Sequence, residues 1–172
     1  APEVFPLGET IVTWTATDDY GNSVSNAQTI YVIDTTLPDI SAPSDLRIEA
    51  NHIDQNIIDL IGVRVSDKVE ISSITNDAPE VFPLGETIVT WTATDSSGNS
   101  AFDTQKVLVE DTLSPSITSP SNIQVEIDDN SGMMLNIGDA ISEDIVDLQP
   151  QITNDAPEVF PLGETIVTWT AT

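Results

Sequence analysis

Apolar and polar residues alternate with period two along most of this chain, in runs too short for helices and rich in β-branched side chains. In Thr87–Asp95, Val89, Trp91 and Ala93 fall on one face and Thr90, Thr92 and Thr94 on the other. Strand side chains point alternately to opposite faces, so the first set is expected in a core and the threonines toward water. Gly85-Glu86 before this run reads as a turn, Ser96-Ser-Gly-Asn99 after it as a hairpin loop, and Ala101–Glu110 as the returning strand. Leu46–Ala50, Ile57–Val65 and Glu70–Ile74 are further strand candidates. Roughly seven short strands in a segment of this size predict an antiparallel sandwich.

The pattern recurs. APEVFPLGETIVTWTAT stands at Ala1–Thr17, Ala78–Thr94 and Ala156–Thr172, and Ile74-Thr-Asn-Asp77 returns as Ile152-Thr-Asn-Asp155. A second anchor, Asp34-Thr-Thr-Leu-Pro38, returns as Asp111-Thr-Leu-Ser-Pro115. After each comes a proline (Pro43, Pro120) and a short run ending in an acid, Leu46–Glu49 and Ile123–Glu126. Self-similarity at one period marks tandem modules. The organisation expected is the C-terminal part of one repeat over 1–33, a complete repeat over 34–110, and over 111–172 a repeat without its last loop and strand. A chain that starts and stops inside one motif reads as a window on a longer array. The loops Asn51–Gln55 and Asp128–Gly132 differ between repeats, which makes them poor places for a shared site.

No Gly/Ser spacer separates the repeats: Ile30–Ile33 runs into Asp34-Thr, and Val107–Glu110 into Asp111-Thr. Neighbours must therefore abut, and Pro38 and Pro115 stiffen the start of each unit. The three tryptophans, Trp14, Trp91 and Trp169, lie on the inward set and are expected to pack in cores rather than stack on sugars.

Charge narrows the partners. Four basic residues face 29 acidic ones, for a net charge of −25. Such a surface repels nucleic acid and anionic membranes, and no apolar run is long enough for a membrane span. It suits either a solvated, aggregation-resistant coat or the binding of divalent cations. There is no cysteine, so neither a disulfide nor a thiol nucleophile is available. His52, the single histidine, lies in a variable loop, and neither a nucleophile elbow nor a phosphate-cradling glycine loop occurs. An enzyme is not expected.

The Asp-Thr-x-x-Pro start, the strand ending in Glu, and the block FPLGETIVTWTATDSSGN at Phe82–Asn99 together resemble the hyalin repeat, over essentially the whole chain. That resemblance implies all-β, tandem immunoglobulin-like antiparallel sandwiches, an extracellular or cell-surface setting and an association with adhesion. The function it points to is a structural repeat of a stalk, adhesin or filament, with neighbouring repeats and other copies of the chain as partners. The alternative is a module recognising a glycan or a cell-surface protein.

Ca2+ is the one ligand the residues invite, because it takes six to eight oxygens from carboxylates, amides and carbonyls. In an immunoglobulin-like sandwich the chain enters at the pole that carries the B–C and F–G loops. That pole gathers Asp34, Asp67, Asp95 and Asn99 in the complete repeat; Asp18, Asp19 and Asn22 match the F–G positions in the first, and Asp111 and Asp144 recur in the third. The competing reading is that these aspartates and asparagines only set turns. Glu49 and Glu126, each ending a strand, are weaker candidates.

Overall fold

A computed structural model describes residues 2–128 and 131–172. Asp129 and Asn130, inside the variable loop of the third repeat, lie outside the described residues. The described chain is all-β, with twelve strands and no helix. It groups into two compact units, one of Ala1–Ser44, Ile61–Ala78 and Ile88–Gln105, the other of Asp45–Leu60, Pro79–Thr87 and Lys106–Thr172.

In the first unit, β1 (Gly8–Thr17) and β2 (Ser23–Val32) form a hairpin paired residue for residue, Gly8 opposite Val32 and Thr17 opposite Ser23. The five residues between them close on Asp18, whose N–H donates to Asn22 O at 2.9 Å, with Gly21 at φ +87°. Only glycine reaches that conformation without strain. β3 (Asp39–Ser41) pairs with β5 (Arg64–Ser66). β6 (Ile71–Asn76) pairs with the far end of β7 (Gly85–Asp95), Asn76 opposite Trp91.

β7 and β8 (Ser100–Glu110) belong to one four-stranded sheet ordered β4-β8-β7-β6, where β4 is Leu46–Glu49. Along them the alternation expected from sequence is realised. Val89, Trp91 and Ala93 are buried, as are Gln105, Val107 and Val109, while Thr90, Thr92 and Thr94 are half-exposed. Trp91 donates its indole N–H to Gln105 Oε1 at 3.2 Å, and Gln105 donates in turn to Ser44 O at 2.8 Å. Asn56 is also buried: its Oδ1 accepts the Asn51 and His52 amides, and its Nδ2 donates to Phe82 O at 3.1 Å.

Four expectations need correction. The sheet is mixed, because β4 runs parallel to β8 (Leu46 beside Val107, Glu49 beside Glu110). A chain that enters a module at one pole and leaves at the other sends its first and last strands the same way, so they are parallel where they meet. Next, Ile57–Val65 is not a strand. Gly62 at φ +100° breaks the run, Ile57 and Ile61 are exposed, and only Arg64–Ser66 finds a partner. Trp14 is not a core residue: it is 61% exposed against 5% for Trp91. Its indole bonds Gln28 at 3.0 Å as Trp91 bonds Gln105, but among the described residues no third strand pairs with the β1–β2 hairpin, and burial on that face reaches Val12 and not Trp14. Trp169 is half-exposed.

In the second unit the third repeat forms two short ladders. β9 (Ser116–Thr118) pairs with β10 (Ile141–Glu143), and β11 (Ile152–Asn154) with β12 (Trp169–Ala171). The Asn56–Phe82 bridge of the complete repeat returns as Met133–Phe160. The repeated Ile-Thr-Asn-Asp motif has a mechanical reason: Asp77 accepts the Thr90 amide, and Asp155 the Thr168 amide, both at 2.6 Å.

Candidate functional site at the poles and junctions

The F–G loop of the complete repeat is built on one aspartate. Asp95 is buried; its Oδ1 accepts the amides of Ser97 (2.9 Å) and Asn99 (2.8 Å), and its Oδ2 accepts Asn99 Nδ2 (2.9 Å). Asn99 Nδ2 lies 3.3 Å from Asp34 O and 3.4 Å from Asp34 Oδ2, so the segment that opens the repeat meets the loop that closes its last hairpin. Asp34 itself caps a turn, accepting the amide and hydroxyl of Thr36. The Thr36 hydroxyl first, then its amide, with smaller contributions from Asp95 and Ser97, hold the Asp34 carboxyl below its ordinary range. Extra hydrogen bonds to a carboxylate favour its charged form.

Asp67 sits in the adjoining turn, which joins the F–G loop where Ser96 donates to Glu70 O at 2.8 Å. Its Oδ1 accepts the amides of Lys68 and Val69. Its Oδ2 is buried with no hydrogen-bond partner. A buried acceptor without a donor is uncommon and calls for an explanation. Asp34, Asp95 and Asn99 are thus in mutual contact, with Asp67 in the neighbouring turn. Among the described residues no three acidic or histidine side chains are gathered at metal-ligand spacing.

The same loop in the first repeat rests on Asp18, which is exposed. It accepts the amides of Tyr20 and Asn22 and the Asn22 side chain at 2.8–2.9 Å, and that side chain is the main cause of its lowered pKa. Asp19 is exposed beside it. In the third repeat Asp144 accepts the Val146 and Asp147 amides at 2.7 and 2.9 Å, and the Asp147 amide leads in lowering its pKa. Asp111 accepts the Leu113 amide at 3.2 Å. Asp111 and Asp144 line one cavity of about 210 Å³ with Glu143 and Ala50.

The junction between the complete and third repeats gives Glu49 a clearer role than its sequence position promised. Its carboxylate accepts the Thr112 amide at 2.8 Å and the Thr112 hydroxyl, and these bonds lower its pKa. One residue on, Ala50 N donates to Glu110 O at 2.8 Å, and Arg47 makes a two-pronged ion pair with the Glu110 carboxylate. The end of β4 therefore grips the start of the next repeat. The signal was present in sequence as a Thr following each repeat-opening Asp and an acid ending each early strand. Their contact depends on the parallel β4–β8 pairing, which alternation does not reveal. His52, in contrast, is an exposed loop residue paired with Asp54 at 2.8 Å.

No helix among the described residues is long and apolar enough to cross a membrane. No family model and no solved structure matches the chain. Among known proteins it is 35% identical to hyalin of Strongylocentrotus purpuratus and 33% identical to hyalin of Lytechinus variegatus, each over 98% of its length. It is also 32% identical, over 88% of its length, to the sushi, von Willebrand factor type A, EGF and pentraxin domain-containing protein 1 of Rattus norvegicus. The chain spans 15%, 34% and 4% of these relatives respectively. With the repeated block, the all-β fold and this likeness along nearly its whole length, the chain is a run of hyalin-like repeats.

Proposed function

We propose that the chain is a structural segment of an extracellular, adhesion-type protein, in which abutting repeats hold one another at a fixed angle in a stalk or filament. The observation that carries this reading is the junction. β8 runs into Asp111 without a spacer, and Glu49 on the neighbouring strand bonds Thr112. Two covalently successive repeats joined by a strand end and by side-chain hydrogen bonds resist bending more than two joined by a peptide alone. Its partners on this reading are neighbouring repeats and proteins of the same matrix.

Ca2+ would strengthen the arrangement at the poles. In the complete repeat Asp34 and Asp95, which lie together, would supply its first oxygens, with Asn99 turning its amide, and the orphaned Oδ2 of Asp67 would have to move in from the neighbouring turn; in the third, Asp111 and Asp144 would serve. The donor set is all oxygen, as a hard cation requires, and the buried unpaired Oδ2 is the specific point in its favour. Its contribution would be to offset repulsion among carboxylates at the junction. Melting the chain with Ca2+ and with a chelator tests this: Ca2+ raises the melting temperature and Asp34→Asn cancels the gain. Identical melts remove the ion from the account without touching the junction.

The structural role is tested by solution scattering from arrays of two, four and eight repeats. A stalk segment gives a radius of gyration rising in proportion to repeat number. Growth near the square root, as for a flexible string, contradicts it. The second reading, recognition of a glycan or surface protein, draws on the exposed aromatic rings of Tyr20 and Phe102. Binding to a saccharide panel that is lost in Tyr20→Ala or Phe102→Ala would favour it.

A further inference from the structure

Ile57–Leu60, inside the complete repeat, has the composition of a strand and no partner. It follows Asn56, which is fixed in place: Asn56 O accepts the Phe82 amide at 2.8 Å, its Nδ2 donates to Phe82 O at 3.1 Å, and both residues are buried. Beyond that antiparallel bridge the pairing stops. Among the described residues no backbone N–H or C=O of Ile57–Leu60 is hydrogen-bonded to another backbone group. Backbone polar groups are obligatory hydrogen-bonding groups, and a row of them left unpaired is a template for another chain. Here the row starts from a rigid anchor, so little ordering would be lost on pairing it.

The side chains at the bridge are apolar and open to solvent. Strand neighbours alternate between faces, so the residues next to the buried Asn56–Phe82 pair turn outward. They are Ile57, 79% exposed, and Val81, 37% exposed, and antiparallel pairing sets them side by side. The third repeat keeps the arrangement: Met133 and Phe160 form the bridge, and Met134 and Val159 stand where Ile57 and Val81 do. The open position stays apolar although the loop before it changes from Asn51–Gln55 to Asp128–Gly132. A core does not require an aliphatic side chain at so exposed a place. Charge then selects the partner. Asp59 lies within the segment, Glu80 precedes Val81, and both are exposed. A second copy of the chain brings a net charge of −25 and only four basic residues, so repulsion opposes it.

We propose that Ile57–Leu60 receives, as an added strand, an extended segment of another protein that carries aliphatic and basic residues. Main-chain hydrogen bonds to the unpaired N–H and C=O groups give the affinity, and side chains give the choice of partner. An aliphatic residue of the incoming strand covers Ile57, and a Lys or Arg two positions along the same face meets Asp59. Glu80 adds to the field that attracts it. The inference rests on the complete repeat alone and not on the stalk reading. One such site in each repeat lets weak contacts add along an array.

The probe is the capped octapeptide Val-Val-Lys-Lys-Val-Val-Lys-Lys, which alternates valine and lysine along each face of a strand. It is titrated into the 172-residue chain, and amide chemical shifts and hydrogen exchange are read residue by residue. The expected result is shifted, slowly exchanging amides at Ile57–Leu60, a shift at Val81, and the same at Met134–Ile137. The peptide with every backbone amide N-methylated keeps its side chains and charge but has no N–H to donate, and should bind at least about tenfold more weakly. Ile57→Ser should weaken binding at the complete repeat with no change in melting temperature, because the side chain is exposed. Glu80→Lys should weaken it at least about threefold, whereas Glu9→Lys, the same charge change at an exposed site in the first repeat, should matter little. Absence of binding overturns the proposal. So do shifts scattered over the acidic surface without protection at Ile57–Leu60, or equal binding by the N-methylated peptide. Protection that grows with the concentration of the chain alone assigns the segment to a second copy and overturns it too.

Discussion

Trp14 and Trp91 sit in identical seventeen-residue sequences and differ only in what covers them, which makes their truncation a direct probe of packing. Trp91 is 5% exposed and Trp14 61%. A buried tryptophan removes up to about 250 Å² from water, and at about 25 cal/mol per Å² that is about 6 kcal/mol as an upper bound. Truncations of large aromatic side chains to alanine cost about 3–5 kcal/mol in practice. Trp91→Ala also leaves Gln105 Oε1 without its donor inside the core, a further penalty of about 1–3 kcal/mol. Trp14 buries about two-fifths as much, and water can replace its bond to Gln28, so Trp14→Ala should cost about 1–2 kcal/mol. The assay is urea unfolding followed by far-ultraviolet circular dichroism. Trp91→Ala should remove most of the stability of its sheet, which for a domain is about 5–15 kcal/mol in all. Equal losses for the two substitutions would refute the packing argument, as would a larger loss at Trp14.

Three other outcomes follow from single residues. Asn56→Ala strands the Asn51 and His52 amides and Phe82 O in a buried site, and should cost about 3–5 kcal/mol in the same unfolding assay. Gly85→Ala forces a side chain into φ +99° where a Cβ meets nothing within 4 Å, so the loss should be backbone strain alone, about 1–2 kcal/mol. Glu49 has a folded pKa below its ordinary 4.5, so the stability from its Thr112 bonds is complete above that value and fades as pH falls through the lowered one. Glu49→Gln should therefore melt lower than wild type at pH 7, with the gap closing in acid; thermal melts between pH 7 and 3 check it.

The strands that carry the repeat's core were legible because β-branched alternation and a fixed period agree over Thr87–Glu110. The turns at Asp18 and Asp95 were legible for the same local reason, an Asx side chain followed by glycine. Properties that depend on a distant partner were not. Ile57–Val65 has the composition of a strand, and one glycine with positive φ undoes it. Trp14 carries the same local sequence as Trp91, so its exposure is set entirely by which strands lie over it. Asp34 meeting Asn99 could be placed by topology, whereas Glu49 meeting Thr112 required the parallel pairing of β4 with β8.

The central claim is that successive repeats meet as a fixed joint, and backbone ¹⁵N relaxation across Glu110–Leu113 tests it most directly. A joint held by Glu49 and by the continuation of β8 gives order parameters of about 0.85 there, equal to those along β7. Thr112→Val should lower them locally. Values below about 0.6 across these four residues in the wild-type chain, with β7 still rigid, would mean a hinge between repeats and would contradict the account.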